Sequence, residues 1–186
     1  FDSVLSALKE RYGRTVFPFT FPTNQGPEFN KIADVLRKEL FTFKTDGSGD
    51  YSTEESVDDL NQNLDELHNE LIELIAESDE SLMEIFFDKG ALNEEELRSG
   101  LHQALKSNGL IPVFCVDGKS NVGVKRMMDI IAKYAPCAGD FKEVVGTKPG
   151  AEDTITHGSS INDPLSAIVF KTISEEHIGE MSFFRV

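Results

Sequence analysis

The most regular hydrophobic pattern of the chain lies between residues 57 and 75, where apolar side chains recur every three or four positions. This spacing puts them on one face of a helix of about five turns, with acidic residues on the other face. Ser52 and Glu55 form a capping-box pattern that predicts the start of this helix. The apolar positions are Val57, Leu60, Leu64, Leu67, Leu71, Leu74 and Ile75.

Four shorter segments also have helical spacing. Residues 2–12 have an amphipathic pattern that a glycine ends. Asp79 is placed to cap a short helix that stops at Gly90, and Asn93–Glu96 is a second capping box that opens the next helix. The last helix is closed by Pro136 and is indicated by Val124, Met127, Met128 and Ile131.

Segments typical of strands alternate with these helices. Thr15–Phe21 and Ile111–Val116 are short and rich in β-branched or aromatic residues. Phe29–Phe43 fits either a helix or a strand, because periodicity does not separate the two in short runs. Thr45–Asp50 has the composition of a turn. This order predicts an α/β fold, with N-terminal and Ile111 strands side by side in one sheet and a mostly helical acidic insertion between them.

The C-terminal part has a different character. Residues 137–163 are rich in Gly, Thr, Asp and Ser, which predicts a connector. Leu165–Thr172 and Met181–Val186 then flank a polar stretch with one glycine, a strand–turn–strand pattern. Because two strands alone are marginally stable in water, we expect this chain to be a piece of a longer protein that stops inside its next domain.

The net charge of −15 is concentrated in one segment. Residues 50–97 contain 17 acidic residues and one basic residue, which gives −16, while the other 16 acidic and 17 basic residues give +1. Such a segment repels the phosphates of nucleic acids and attracts a basic protein surface. A solvated helix face that only maintains solubility is the alternative interpretation.

Composition and short motifs exclude several other functions. No apolar run approaches the roughly 18–20 residues that span a bilayer, and the N-terminus lacks the pattern of a signal peptide. Gly118-Lys119-Ser120 is not a P-loop, because Val113 stands where that motif requires its first glycine. The four histidines have no metal-binding spacing. Two cysteines, with Cys115 expected inside a strand, favour a reducing, cytoplasmic location.

Several of these segments resemble the translocation GTPases, the elongation factor G family. Pro164–Val186 is similar to the start of that family's second, β-barrel domain, and Glu66–Glu84 to the long helix of the insert in its GTPase domain. Leu92–Gln103 matches the helix that follows. Phe29–Val35 falls where the insert carries a strand, so the resemblance predicts a strand at residues 32–35. Residues 5–13 and 16–22 match the helix and strand that follow the guanine-specificity motif.

This resemblance implies a division of the chain. Residues 1–22 and 110–136 would be the C-terminal edge of a P-loop GTPase sheet, and residues 23–109 its acidic α+β insert. Residues 137–163 would be a linker, and residues 164–186 the truncated start of the β-barrel domain.

The resemblance also implies where the nucleotide binds. The full-length protein would use GTP and Mg²⁺, but the phosphate-binding loop, the switch regions and the guanine reader would precede Phe1. This chain alone would then have no catalytic residues, no bound cofactor and no GTPase activity. One nucleotide element would remain, at Asp117, Gly118 and Lys119, where backbone amides of the family contact the guanine carbonyl oxygen. Asp117-Gly118 replaces the family's usual Ser-Ala there, which departs from the pattern.

The implied partners are the ribosome and the basic C-terminal domain of the ribosomal stalk protein. The acidic helix would contact that domain, without touching nucleic acid or membrane. Three alternatives stay open: a ribosome-protection or related translational GTPase, a non-enzymatic ribosome-binding adaptor with a degenerate nucleotide site, and an unrelated α/β domain. The matched outward positions are Asp58, Glu66, Glu70, Glu73 and Glu77.

Overall fold

A computed structural model of the chain describes residues 1–54, 58–141, 143–148, 150 and 153–186, without the side chains of Asp58, Asp59 and Asn61. The chain forms two compact units, Phe1–Pro136 and Cys137–Val186. The first contains α1 (Asp2–Tyr12), β1 (Val16–Pro18), β2 (Thr20–Pro22), β3 (Lys31–Asp34), β4 (Glu39–Phe43), β5 (Tyr51–Glu54), α2 (Asp58–Ala76), α3 (Glu80–Lys89), α4 (Glu94–Lys106), β6 (Ile111–Val113) and α5 (Val124–Tyr134). The second contains a 3₁₀ turn (Ala138–Asp140), β7 (Glu143–Thr147), β8 (Thr154–Gly158), β9 (Ile168–Glu175) and β10 (Gly179–Arg185).

The first unit is a mixed α/β structure built on a parallel strand pair. β1 runs parallel to β6, with Val16 opposite Ile111 and Pro18 opposite Val113. The predicted neighbourhood of these two strands is therefore confirmed. Everything between them in sequence is an insertion, and it begins with an antiparallel sheet in the order β2-β3-β4-β5. The predicted strand at residues 32–35 is confirmed as β3, one residue earlier.

The helices of the insertion begin and end largely where their caps predict. The side chain of Asp79 accepts hydrogen bonds from the Ser81 and Leu82 amides at the start of α3, and Gly90 ends that helix with a φ of 71°. Asn93 and Glu96 form the capping box of α4. The face of α2 that carries Leu64 and Leu71 is buried in a core shared with β1, β3, α4 and α5.

The predicted start of the acidic helix is wrong. Ser52 does not cap a helix, because it lies in β5 opposite Thr42 of β4. Tyr51 anchors this strand by packing its ring against Phe43, with ring centroids 5.1 Å apart. Such cross-strand aromatic contacts stabilise a sheet and outweigh a local capping pattern. Glu55 and Val57, which belonged to the same prediction, lie outside the described residues.

The predicted last helix is confirmed as α5, but its apolar residues do not all lie on the buried face. Met128 and Ile131 are 54% and 45% exposed, whereas Arg126, Ile130 and Tyr134 are buried. Apolar spacing alone does not identify the buried face, because that face includes Arg126. That arginine instead pairs with a buried carboxylate of β3 and sets the rotation of the helix.

The second unit consists of two antiparallel pairs, β7 with β8 and β9 with β10. The C-terminal strand–turn–strand prediction is confirmed, with an irregularity between Phe183 and Phe184. The segment predicted to be a connector contains a hairpin, in which residues 143–147 pair with residues 154–158. The β-branched residues of these strands favour an extended backbone, and the surrounding glycines and aspartates obscured that signal.

Candidate functional site

The loop that follows β6 is held in a tight turn by the carboxylate of Asp117. The Asp117 amide donates to the Val122 carbonyl oxygen at 3.0 Å, which joins the two ends of the loop. Asp117 Oδ1 accepts a hydrogen bond from the Lys119 amide at 3.0 Å, and Oδ2 accepts one from the Ser120 hydroxyl at 2.5 Å. The Ser120 hydroxyl, followed by these backbone donors, lowers the pKa of Asp117, so the carboxylate is ionised at neutral pH.

The three predicted nucleotide-contacting residues therefore lie together, but their amides are not equivalent. The Lys119 amide is already used by Asp117. Gly118 is exposed, and its amide donates to no acceptor among the residues that the structure describes. Of these three residues, Gly118 can thus offer an unused backbone donor to a ligand oxygen.

Gly123, at the end of this loop, occupies a position that only glycine fits. Its φ of 73° is in the left-handed region, and a Cβ on it would lie 2.6 Å from the carbonyl oxygen of Cys115. The loop consequently returns against the end of β6 at van der Waals distance. This close approach gives the turn a defined conformation before any ligand binds.

The acidic helix α2 presents a row of carboxylates on one face. Glu66, Glu70, Glu73 and Glu77 follow one another at intervals of four, three and four residues, which places them on one side of a helix. All four are exposed, and the opposite side is buried in the core. Asp58, the fifth predicted position, begins the helix, but its side chain lies outside the described residues.

Two of these carboxylates already have partners within the chain. Glu77 accepts a hydrogen bond from Arg14 at 2.6 Å, and Glu66 accepts a longer one from Gln62 at 3.3 Å. Glu70 and Glu73 have no such partner among the described residues, so they are the two most available to a basic surface. Sequence reasoning missed the Arg14 contact because 63 residues separate the two side chains.

Two histidines and a cysteine that could be candidates for chemistry have structural surroundings instead. His68 Nδ1 lies 2.9 Å from the carbonyl oxygen of Val35, and His102 Nδ1 lies 3.1 Å from that of Tyr134. Burial raises the pKa of the Cys115 thiol, which disfavours the nucleophilic thiolate. No group of three or more His, Cys, Asp or Glu residues in the described part of the chain could hold a metal ion.

A buried ion pair joins the insertion to the outer part of the first unit, and no local sequence signal indicates it. Arg126 Nε donates to Asp34 Oδ2 at 2.5 Å, and Nη2 lies 3.3 Å from Oδ1. Both side chains are almost completely buried. Asp34 Oδ1 also accepts a hydrogen bond from the Arg37 amide at 2.8 Å. The pair therefore fixes β3 against α5, beside the loop described above.

An apolar depression of about 410 Å³ lies beside α1 and the carboxyl end of β6, with Phe1, Leu5 and Phe114 among its lining. Ligands of open α/β sheets bind at such strand ends. The lining residue Asn24 is already engaged, because its side chain binds the Glu28 carbonyl oxygen and the Lys31 amide. The depression therefore does not point to a particular ligand.

Comparison with known proteins identifies the fold and no family. No protein-family model matches this sequence. A crystal structure of a protein from Thermus thermophilus matches 99% of this chain with a TM-score of 0.71 and 19% sequence identity. The chain corresponds to only 24% of that protein's length. Within the described residues, no helix combines the length and apolar character needed to cross a membrane. What is shared with the Thermus protein is thus the arrangement of helices and strands.

Proposed function

We propose that this chain is part of a translational GTPase of the elongation factor G type, which couples GTP hydrolysis to translocation of tRNA and mRNA on the ribosome. The observation that carries the proposal is the parallel pairing of β1 and β6 across an acidic insertion. It is the arrangement expected if the outer segments are the edge of a GTPase sheet. The structural match covers 99% of the chain, so the Thermus protein shares this order of elements, including the β structure that follows residue 136.

In this proposal the chain contributes recognition and docking, not chemistry. The turn at Asp117–Lys119 contacts the guanine base, with the unused Gly118 amide as the donor. Mg²⁺ and the residues that stabilise the transferring phosphoryl group belong to other parts of the longer protein.

The acidic face of α2 is the proposed docking surface for the basic C-terminal domain of the ribosomal stalk protein. Four exposed carboxylates on one helix side create a local negative potential, and Glu70 and Glu73 are unpaired among the described residues. Complementary charge mainly accelerates association, and the effect decreases with salt. The alternative of a face that only aids solubility predicts no such specific effect.

The test reverses two of these charges. In Glu70→Lys/Glu73→Lys, we expect association with the isolated stalk domain to slow by about tenfold at low salt and to lose most of its salt dependence. Stopped-flow association at several ionic strengths measures both. Glu10→Lys/Glu28→Lys is the matched control, because it changes the net charge equally at exposed positions outside α2. Equal rates for both double variants would contradict the docking proposal.

One observation favours a second candidate, a ribosome-binding adaptor that has lost nucleotide binding. The Asp117 carboxylate occupies the Lys119 amide and places a negative charge at the turn. The negative charge repels the guanine carbonyl oxygen. The Lys119 amide, which already donates to Asp117, is not available to hold that oxygen. Equilibrium binding of labelled GDP to the whole protein separates the candidates: micromolar or tighter binding supports the GTPase, and absence of binding supports the adaptor.

A further inference from the structure

The turn after β6 is attached to the insertion by a hydrogen bond between distant parts of the chain. Asn121 Nδ2 donates to the Gly47 carbonyl oxygen at 2.7 Å, across 74 residues of sequence. Gly47 belongs to the loop between β4 and β5 of the four-stranded sheet. Gly49 of the same loop is also close, since a Cβ there would lie 3.4 Å from Asn121 Cβ.

The next residue of the turn, Val122, is held by apolar packing. Val122 is fully buried in a small apolar cluster with Ile32, Phe41 and Phe43, all from the four-stranded sheet. Tyr51 packs against this cluster from β5. Since the Val122 carbonyl oxygen also accepts the Asp117 amide, the sheet reaches the start of the turn through a single intermediate residue.

We infer that the four-stranded sheet of the insertion positions the guanine-contacting turn, with Asn121 and Val122 as positioning residues. This inference rests on the proposed function. The turn is fixed at one end by β6 and at the other by the sheet, so the exposed residues between them take their position from both. A displacement of the sheet would move the Gly118 amide, and hydrogen bonds weaken steeply when their geometry is lost.

The insertion would then have two roles, as a docking surface and as a support for base recognition. Both roles depend on one hydrophobic core, because α2 packs there against β3 of the four-stranded sheet and against β1. A purely structural role for Asn121 is the competing explanation. The two explanations differ in whether the loss of affinity depends on the guanine carbonyl oxygen.

The experiment compares two nucleotides in the whole protein. GDP carries the guanine carbonyl oxygen, and 2-aminopurine riboside 5′-diphosphate lacks that oxygen together with the N1 proton, so each variant is compared with the unmodified protein for the same nucleotide. We expect Asn121→Asp, which removes the donor but keeps a residue that tolerates the φ of 59°, to weaken GDP binding about tenfold. The dissociation constant of the analogue should stay within twofold of its value for the unmodified protein. Asn121→Gly, which keeps the backbone conformation without adding charge, should give the same difference between the nucleotides.

Asn108→Asp is the matched control, because Asn108 is exposed, has a φ of 58° and undergoes the same charge change. It should bind both nucleotides as the unmodified protein does. Unchanged GDP affinity in both Asn121 variants, or equal weakening of the two nucleotides, would overturn the inference while the proposed GTPase stands. If the unmodified protein binds neither nucleotide, the proposed function itself fails, and the inference fails with it.

Discussion

At the scale of single residues, the buried ion pair between Asp34 and Arg126 holds strand β3 against helix α5. Sequence reasoning treats an arginine within an amphipathic helix as outward-facing, because charged side chains are rarely buried without a partner. The partner here is 92 residues away, so local spacing contains no information about it. The burial of both groups decides the rotation of α5 and leaves Met128 and Ile131 exposed.

Removing one member of this pair should destabilise the protein strongly. In Arg126→Met, Asp34 remains buried without its counter-charge, and the free energy of unfolding should decrease by about 3–5 kcal/mol. Urea unfolding followed by circular dichroism measures the change. The exposed position Arg98→Met is the control, with an expected change within about 0.5 kcal/mol.

The double variant Asp34→Asn/Arg126→Met tests the stated cause. It removes both charges, so it should be more stable than Arg126→Met alone, because no uncompensated carboxylate stays buried. A double variant as unstable as the sum of the two single variants would show that the two side chains act independently and that the loss has another origin.

At the scale of elements, prediction succeeded where a helix end is determined locally and failed where a distant strand decides. The caps at Asp79 and Asn93 were readable because the hydrogen bonds involved span two or three residues. Ser52 has a similar local pattern, yet its segment pairs with β4 in a sheet. The hairpin of β7 and β8 was missed for the same reason: its stability comes from pairing, which turn-rich composition does not display.

The packing of α4 against α2 and α3 depends on a helix position without a side chain. A Cβ on Gly100 would lie 2.6 Å from Leu82 Cδ1 and 2.7 Å from Ile75 Cγ2, closer than packed carbon atoms allow. Glycine is unfavourable inside a helix by about 1 kcal/mol relative to alanine, so helix propensity alone would favour the substitution. The close approach of three helices accounts for the glycine at this point.

We therefore expect Gly100→Ala to destabilise the protein by about 1–3 kcal/mol, because the cost of overpacking exceeds the gain in propensity. Thermal unfolding by differential scanning calorimetry measures the shift. Ser99→Ala, at an exposed neighbouring position of the same helix, should leave the transition unchanged or raise it slightly. A stabilised Gly100→Ala protein would mean that the helices separate without cost.

At the scale of the whole molecule, the sequence predicted the outline of the candidate site but not its internal bonding. The α/β class, the position of the insertion, the neighbouring β1 and β6 strands and the exposed acidic face could all be read from periodicity, charge and resemblance. The engagement of Lys119 by Asp117, the Arg14–Glu77 pair and the attachment of Asn121 to Gly47 could not. Each of these depends on where the backbone brings two groups, which follows only from the folded chain.

The two units differ sharply in how much apolar surface they bury. Every buried hydrophobic residue among those described lies between Val16 and Tyr134, in the first unit. In the second unit, side chains such as Phe170 and Phe184 are 66% and 62% exposed. Because burial of apolar surface supplies most of the driving force for folding, the stability of this chain should reside in its first unit.

Separating the units tests this distribution. A chain of residues 1–136 keeps both buried clusters, so it should unfold in one cooperative transition within a few degrees of the 186-residue chain. Residues 137–186 alone should show no cooperative transition, since isolated strand pairs are marginal in water. Circular dichroism during heating measures both. If residues 1–136 melted far below the full chain, the first unit would owe its stability to groups beyond Pro136, and burial within that unit would not account for the fold.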